Sequence, residues 1–175
     1  HLQELHPQSH QGVCADAIAT LEGISREALD AHAADSQRKA EIAIKEGRFD
    51  RALIPVYNLD GSLALDREEF PRPGTTAESL AKLSASFPAV ADYRHEEGSK
   101  TFRELINQKF PDLDINHVHH AGNSSGVVDG AAAILITSED YARAHGMKAR
   151  ARVVATANMG DDPTLMLNAP VPAAK

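Results

Sequence analysis

The sequence has no tryptophan, and aromatic residues make up only 5% of its 175 residues. A hydrophobic core must therefore be built mainly from alanine, leucine, isoleucine and valine, which each bury less area than an aromatic ring. A single cysteine, Cys14, excludes an internal disulfide and favours a reducing compartment, so a cytoplasmic location is expected. No apolar run approaches the roughly 20 residues of a membrane-spanning helix, so no membrane association is predicted.

The net charge of −7 argues against a general binder of nucleic acid or of membrane surfaces, because both partners are polyanionic. It leaves room for a local basic site that holds a phosphorylated ligand. A hydrophobic content of 42% and a charged content of 25% are typical of a globular domain. The sequence begins at His1 without a methionine or a signal-like segment. We therefore expect it to be an internal piece of a longer protein.

Helices are predicted where a serine or threonine precedes periodic apolar positions and a glycine follows them. The predicted helices cover residues 16–21, 26–46, 77–83, 101–109 and 139–145. Strands are predicted over residues 52–57 and 63–65, joined by a turn at 58–61, and over the apolar run 131–136 and residues 150–157. Strands that alternate with helices favour an α/β fold.

A turn-forming stretch at residues 122–126 carries the strongest chemical signal. It reads Gly-Asn-Ser-Ser-Gly and lies between an extended-looking run and the apolar run 131–136. Glycines allow a backbone to approach a ligand closely, while serine hydroxyls and an asparagine amide both donate and accept hydrogen bonds. The stretch is therefore a candidate ligand-binding turn.

Residues 121–133, which read AGNSSGVVDGAAA, resemble the AGN-x-SG-x-x-DGAAA signature of the thiolases, the enzymes that make or cleave 3-oxoacyl-CoA. Other segments are similar to thiolase segments in the same order. They are the helical SRE-x-x-D, S-x-x-KA and GRF segment at 23–49, the R-x-G-x-T-x-x-S-x-A-K-L segment at 72–83 and the proline-rich tail at 160–175. The resemblance loosens only at about 88–116, which we interpret as an insertion of a subgroup.

The resemblance implies a fragment of the layered αβαβα thiolase fold. Residues 1–116 would form the loop domain that covers CoA, with the insertion at about 88–116. Residues 117–148 would end the N-terminal half of the fold, and residues 149–175 would begin the C-terminal half. The complete protein would be a homodimer or homotetramer in fatty acid metabolism, such as β-oxidation.

The resemblance also assigns CoA-binding residues. Ser125 would hydrogen-bond the pantetheine arm, and Arg72 and Ser79 would lie beside the adenine nucleotide and pantetheine. His10 and Gly12 align with a thiolase His-Met-Gly segment close to CoA, although Gln11 departs from it.

Other residues of the signature have a different expected role. Asn123 is predicted to brace the turn through bonds to the backbone, and Asp129 is also interpreted as structural. His120 stands where thiolases more often have threonine.

No catalytic residue is assigned. The thiolase nucleophile, the Gly-His-Pro segment and the second catalytic cysteine have no counterpart, and Cys14 lacks the small-residue context of the nucleophile. The implied activity is acyl transfer through a cysteine thioester in the longer protein, with CoA or acyl-CoA as substrate and no metal. This piece would supply the residues that bind CoA or acyl-CoA.

Two alternatives remain. The chain could be a thiolase-like CoA- or lipid-binding protein without catalysis. It could also be a small metal-dependent enzyme, because His117 and His119 would share one face of a strand near Asp114. A basic cluster near residues 38–51 is interpreted either as a solvated helix face or as a contact for the CoA phosphates.

Overall fold

The computed structural model of the chain describes residue 6 and residues 8–175; part of the predicted irregular start, residues 1–13, lies outside them. The described helices are α1 (Gln11–Leu21), α2 (Arg26–Lys45), α3 (Ala77–Leu80), α4 (Pro88–Ala91), α5 (Phe102–Asn107), α6 (Glu139–Ala144) and α7 (Pro170–Ala174). The strands are β1 (Val56–Tyr57) and β2 (Leu63–Leu65). Within this part of the chain most of the regular structure is helix, there is little sheet, and the long remaining segments are turns and irregular chain.

The two long helices begin and end where local signals place them. The Ser25 hydroxyl accepts a hydrogen bond from the Ala28 amide at the start of α2. Gly23 and Gly47 follow α1 and α2 with φ of 65° and 63°, the left-handed conformation that glycine adopts without a steric penalty. The start of α1 differs from the prediction by five residues, because the ring of His10 accepts from the Gly12 amide and caps the helix at Gln11.

β1 and β2 form an antiparallel hairpin in which Val56 pairs with Leu65 and Tyr57 with Leu63. The predicted turn is confirmed, since the Gly61 amide donates to the Asn58 carbonyl at 2.9 Å. The first strand is shorter than the predicted residues 52–57. No other strand pairs with this hairpin among the residues described.

A small hydrophobic core lies where α1 packs against α4 and α5. Its buried members are Val13, Cys14 and Ala17 of α1, with Ala91, Phe102, Ile106, Ile115 and Leu165. Half of these side chains come from residues 88–116. The segment interpreted as an insertion is therefore part of the core of this chain and not a surface appendage.

The strands predicted at residues 131–136 and 150–157 are wrong for this chain. Neither segment contains an assigned strand, and Ile134 and Val154 are each 84% exposed. A strand requires a neighbouring strand for its amide and carbonyl groups. The described residues supply no such neighbour, so strand-like composition does not produce a sheet here.

The remaining elements follow the predicted signals with shorter lengths. The helices α3, α5 and α6 confirm predictions that were one to three residues longer at their C-terminal ends. The proline-rich connection predicted from residue 169 is instead the short helix α7, which proline permits at its first position. None of the helices in the described ranges combines the length and hydrophobicity needed to cross a membrane.

Candidate functional site

A buried carboxylate of α2 anchors the candidate ligand-binding turn, residues 121–126. We call these residues the AGN turn. Asp30 is 2% exposed, and its Oδ1 accepts from His120 Nε2 at 2.8 Å and from Asn123 Nδ2 at 2.9 Å. Its Oδ2 accepts from Arg26 Nε at 2.8 Å. We call Arg26, Asp30, His120 and Asn123 the Asp30 node.

The predicted bracing role of Asn123 is confirmed. Its Oδ1 accepts from the His120 amide at 2.8 Å, and its Nδ2 donates to the Val118 carbonyl at 3.1 Å as well as to Asp30. The His120 ring accepts at Nδ1 from the Gly122 amide at 3.0 Å. Because an amide can only donate, His120 carries its hydrogen on Nε2 and donates it to Asp30.

A second buried carboxylate fixes the segment that leads into the AGN turn. Asp16 of α1 has no exposed surface, and its Oδ1 accepts from the amides of Val118 and His119, each at 3.0 Å. The ring nitrogens Nδ1 of His117 and His119 lie 2.6 and 2.7 Å from its two oxygens. We call Asp16, His117 and His119 the Asp16 cluster.

Both carboxylates have lowered pKa values. Burial acts to raise the pKa of Asp16, but the hydrogen bonds from His119, His117 and the two backbone amides outweigh it. Burial likewise acts to raise the pKa of Asp30, and the hydrogen bonds from Arg26, His120 and Asn123 bring the pKa below its ordinary value. Both groups are therefore anionic hydrogen-bond acceptors at neutral pH.

Ser125 lies on the exposed side of the AGN turn. Next to it, Gly126 lies so close to Phe70 that an added Cβ would be 2.2 Å from the phenyl ring. Gly122 is equally close to Leu80 of α3, where an added Cβ would be 2.5 Å from Cδ2. The turn therefore lies against the segment that carries the other two expected contacts, Arg72 and Ser79.

A cleft between α2 and the start of α3 is lined by residues close in sequence to Arg72 and Ser79, although neither of these two lines it. The Arg72 amide donates to Gln37 Oε1 of α2 at 2.8 Å, and both Arg72 and Ser79 are exposed. The Ser79 hydroxyl already donates to the Thr76 carbonyl and accepts from the Thr76 amide in a capping box. The cleft has a volume of about 350 Å³ and is lined by Ala34, Asp35, Arg38, Glu41, Gly74, Thr75 and Thr76.

His10 and Gly12 lie elsewhere, at the start of α1. The His10 ring is 5.6 Å from the ring of Phe87 and 5.8 Å from that of Phe102. An added Cβ on Gly12 would be 2.3 Å from the Phe87 ring. Within the described residues, no hydrogen bond joins His10 or Gly12 to Arg72, Ser79 or Ser125. The structure thus groups three of the five expected contacts and separates the other two.

The basic cluster near residues 38–51 is largely neutralised. Arg38 and Lys39 both pair with Asp35, at 2.6 and 2.5 Å. Lys45 pairs with Glu41 and Arg48 with Glu46, each at 2.5 Å. These exposed pairs favour the solvated-face interpretation, and only Arg38 of this cluster lines the cleft.

The contacts of the two histidines oppose the metal-enzyme alternative. Their Nδ1 atoms face Asp16 instead of Asp114, which is exposed. His117 Nε2 lies 3.1 Å from Arg103 Nη2, and a guanidinium beside that nitrogen would repel a cation. Among the described residues no group of three or more His, Cys, Asp or Glu could hold a metal ion.

Cys14 is buried in the core, and burial raises the pKa of its thiol. Its Sγ lies 3.5 Å from the Thr164 carbonyl. A protonated, buried thiol is a poor nucleophile, which agrees with the interpretation of Cys14 as structural.

Sequence reasoning did not identify Asp16, Asp30 and Arg26 as functional. Asp30 and Arg26 belong to the SRE-x-x-D segment, but their spacing of four on a helix predicts only an ion pair. Asp16 offered one signal, because it shares a helix face with Val13 and Ala17, where a charge requires partners. Those partners lie more than 100 residues further along the chain.

Comparisons with known proteins agree on one family. Residues 1–91 match the family model described as "Thiolase, N-terminal domain". An acetyl-CoA acetyltransferase of Thiocystis violacea is 40% identical over 169 residues, which cover 95% of this chain and 36% of that protein. A 3-ketoacyl-CoA thiolase of Escherichia coli O1:K1 / APEC is 39% identical over 167 residues, which cover 94% of this chain and 37% of that protein. A probable acetyl-CoA acetyltransferase of Escherichia coli (strain K12) is 39% identical over 164 residues, with 93% and 35% covered. The chain thus spans little more than a third of the length of these curated relatives.

Proposed function

Because the chain belongs to the thiolase family, we propose that it is the CoA-binding part of an acyl-CoA C-acyltransferase. The protein that contains it would form or cleave 3-oxoacyl-CoA, and the acyl group would be carried on a cysteine thioester. The catalytic cysteines and histidine of that reaction have no counterpart in this sequence, so its own residues would bind and orient the substrate.

The observation that carries the proposal is the construction of the AGN turn. Asp30 contacts Asn123 of the turn, the Asp16 cluster fixes the residues just before the turn, and Ser125 is exposed. A turn that is ordered before the ligand arrives loses little conformational entropy on binding. This arrangement supports Ser125 as a donor or acceptor for the amides of the pantetheine arm.

Arg72 and the cleft beside it support a place for the nucleotide end of CoA. Arg72 is exposed, and a guanidinium can stack on adenine or bind a phosphate. Arg38 lines the cleft, but its guanidinium already pairs with Asp35, so Arg72 is the side chain proposed for this contact. Ser79 would contribute mainly by capping α3 beneath this cleft, since its hydroxyl is already engaged.

The domain boundaries remain proposals as well. Residues 1–116 would be the loop domain, residues 117–148 the end of the N-terminal half and residues 149–175 the start of the C-terminal half. The exposed, strand-like runs 131–136 and 150–157 support this division, because they have the composition of sheet strands without a partner in the described ranges. A homodimer or homotetramer, a cytoplasmic location and a role in β-oxidation stay predictions.

The test uses the natural protein that contains this sequence. Thiolysis of acetoacetyl-CoA is assayed, and CoA binding is measured by calorimetry for the wild type and for Ser125→Ala. We expect thiolysis by the wild type and about a tenfold weaker affinity for CoA in the variant, the value of one hydrogen bond. Ser84→Ala, at an exposed serine outside the turn, serves as the control.

Each result has a distinct meaning. CoA binding without thiolysis would favour the alternative of a non-catalytic CoA- or lipid-binding protein. Absence of CoA binding by the wild type would overturn the proposal altogether. Equal affinities of the wild type and Ser125→Ala would retain CoA binding but remove Ser125 from the site.

A further inference from the structure

We propose that Asp30 is a positioning residue that sets the AGN turn for CoA, an inference that rests on the proposed function. Asp30 is buried and Ser125 is exposed, and the side-chain hydrogen bonds of Asp30 go to Arg26, His120 and Asn123. It would therefore act on the ligand only through the turn residues that it holds.

The two carboxylate oxygens of Asp30 serve different segments. Oδ1 accepts from His120, which immediately precedes the turn, at 2.8 Å and from Asn123, inside the turn, at 2.9 Å. Oδ2 accepts from Arg26 at 2.8 Å. One carboxylate thus joins the turn to the first helical turn of α2.

The residues that contact Asp30 complete the backbone of the turn. The His120 ring accepts from the Gly122 amide, and the Asn123 side chain accepts from the His120 amide. The Asn123 amide donates in turn to the His120 carbonyl at 3.1 Å. Displacement of either side chain would release hydrogen bonds that define the backbone immediately before Ser125.

Arg26 extends the node to the segment that follows Ser79. Its Nη2 donates to the carbonyls of Leu80 and Leu83 at 2.9 and 2.8 Å. The side chains of these two leucines lie against Gly122 of the turn. The ion pair of Asp30 with the part-buried Arg26 therefore links the AGN turn, with Ser125, to the segment that contains α3.

A loss of Asp30 should weaken CoA binding because the AGN turn is no longer held in place, and not because a negative charge is removed. CoA is a polyanion, so removal of a negative charge would by itself favour its binding. If the turn loses its anchor, it must be ordered at the moment of binding, and that cost reduces affinity. A weaker affinity in Asp30→Asn would thus have the opposite sign to the electrostatic effect.

The experiment is a double-mutant cycle on the natural protein, in which calorimetry with CoA compares the wild type, Asp30→Asn, Ser125→Ala and the double variant. Circular dichroism first identifies a temperature at which all four remain folded. We expect each single substitution to weaken CoA binding about tenfold and the double variant to bind no more weakly than either single variant. Glu27→Gln is the control, because it removes an exposed negative charge from the same helix.

Non-additivity is the result that a merely structural role would not produce. Independent effects would multiply to about a hundredfold and would overturn the positioning role, as would wild-type affinity in Asp30→Asn. If Asp30→Asn does not fold, His120→Gln replaces it in the cycle, since that variant lacks the ring nitrogen that accepts from Gly122. If the wild type itself does not bind CoA, the proposed function fails, and the positioning role fails with it.

Discussion

Asp16 illustrates how a buried charge can be accommodated at the level of one residue. Oδ1 accepts from two backbone amides and faces the His119 ring, and Oδ2 faces the His117 ring, so each carboxylate oxygen has at least one partner. These bonds replace the lost hydration and explain why its pKa is lowered in spite of burial. The cost of this arrangement is sensitivity to protonation.

The first prediction concerns the pH dependence of stability. Asp16 has a lower pKa in the folded state than in the unfolded state, where an ordinary aspartate titrates near ~3.9. Its contribution is therefore present above about pH 4 and is lost as the pH falls through the folded-state pKa. At pH 6, we expect the free energy of unfolding of Asp16→Asn to be about 2 kcal/mol lower than that of the wild type. This difference in free energy should shrink towards pH 3.

Urea unfolding of the two proteins between pH 3 and 7 measures this gap directly. The asparagine side chain does not titrate, so the difference between the curves reports Asp16 together with its contacts to His117 and His119. Asp114→Asn, at an exposed aspartate outside the cluster, should leave the wild-type curve nearly unchanged. A gap that is constant with pH would show that Asp16 stabilises the fold by shape alone.

At the level of elements, the helices follow local rules closely. The side chains of Ser25, Thr76, Thr101 and Ser138 each accept a hydrogen bond from the third residue of the helix that they begin. Such caps satisfy amides that have no partner inside the helix. What differs between these helices is their burial. Residues of α2 pack against the rest of the chain, whereas α6 has no buried residue.

The second prediction uses two serine caps of equal chemistry. Ser25→Ala should reduce the free energy of unfolding by about 1 kcal/mol, because α2 carries Asp30 and docks on α3. Ser138→Ala should change it by less than about 0.3 kcal/mol, because fraying of an exposed helix is not coupled to the core. Thermal unfolding followed by circular dichroism measures both, and equal losses would contradict the difference in coupling.

The strands show that a local sequence pattern does not predict which segments pair into a sheet. Residues 131–136 have the composition of a buried strand, and residues 63–65 are no more apolar. The second segment pairs because the turn at Asn58 and Gly61 returns the chain to β1. The first has no such neighbour in the described ranges. A helix satisfies its own backbone, while a strand depends on residues that its own sequence does not specify.

At the level of the whole molecule, one small core carries the described fold. It combines three side chains of α1 with Ala91, Phe102, Ile106 and Ile115, and with Leu165 from near the C-terminal end. The Ser9 hydroxyl donates to the Phe102 carbonyl, and Lys109 forms an ion pair with Asp162 at its edge. Residues 88–116 are therefore needed for stability, whatever else they contribute.

The third prediction compares one substitution in two environments. Ile106 has no exposed surface, and Ile106→Ala should cost about 3 kcal/mol through lost burial and a residual cavity. Ile134 is 84% exposed, and Ile134→Ala should change the free energy of unfolding by less than about 0.5 kcal/mol. Urea unfolding of the isolated 175-residue chain measures both. Similar losses would mean that residues 131–136 are buried in this chain after all.

The candidate site divides in the same way between local and distant information. The turn and the bracing by Asn123 are predicted from residues close in sequence, because glycine, serine and asparagine form such turns, and Asn123 contacts the backbone of Val118 and His120. Arg72 was also expected from its own segment. The anchors Asp16 and Asp30 were not, since their partners lie 90 or more residues away.

The sequence by itself determined the positions of the main helices, the turn chemistry and the family, because each depends on residues within a few positions of one another or on ordered motifs. Only the tertiary structure decided which charges are buried, which histidine meets which carboxylate and which apolar runs stay exposed. The physical reason is that burial, and the hydrogen bonds that compensate it, are properties of contacts between distant segments. The local pattern limits the contacts that each residue can form, and the packing of α1, α2 and the AGN turn decides which of those contacts form.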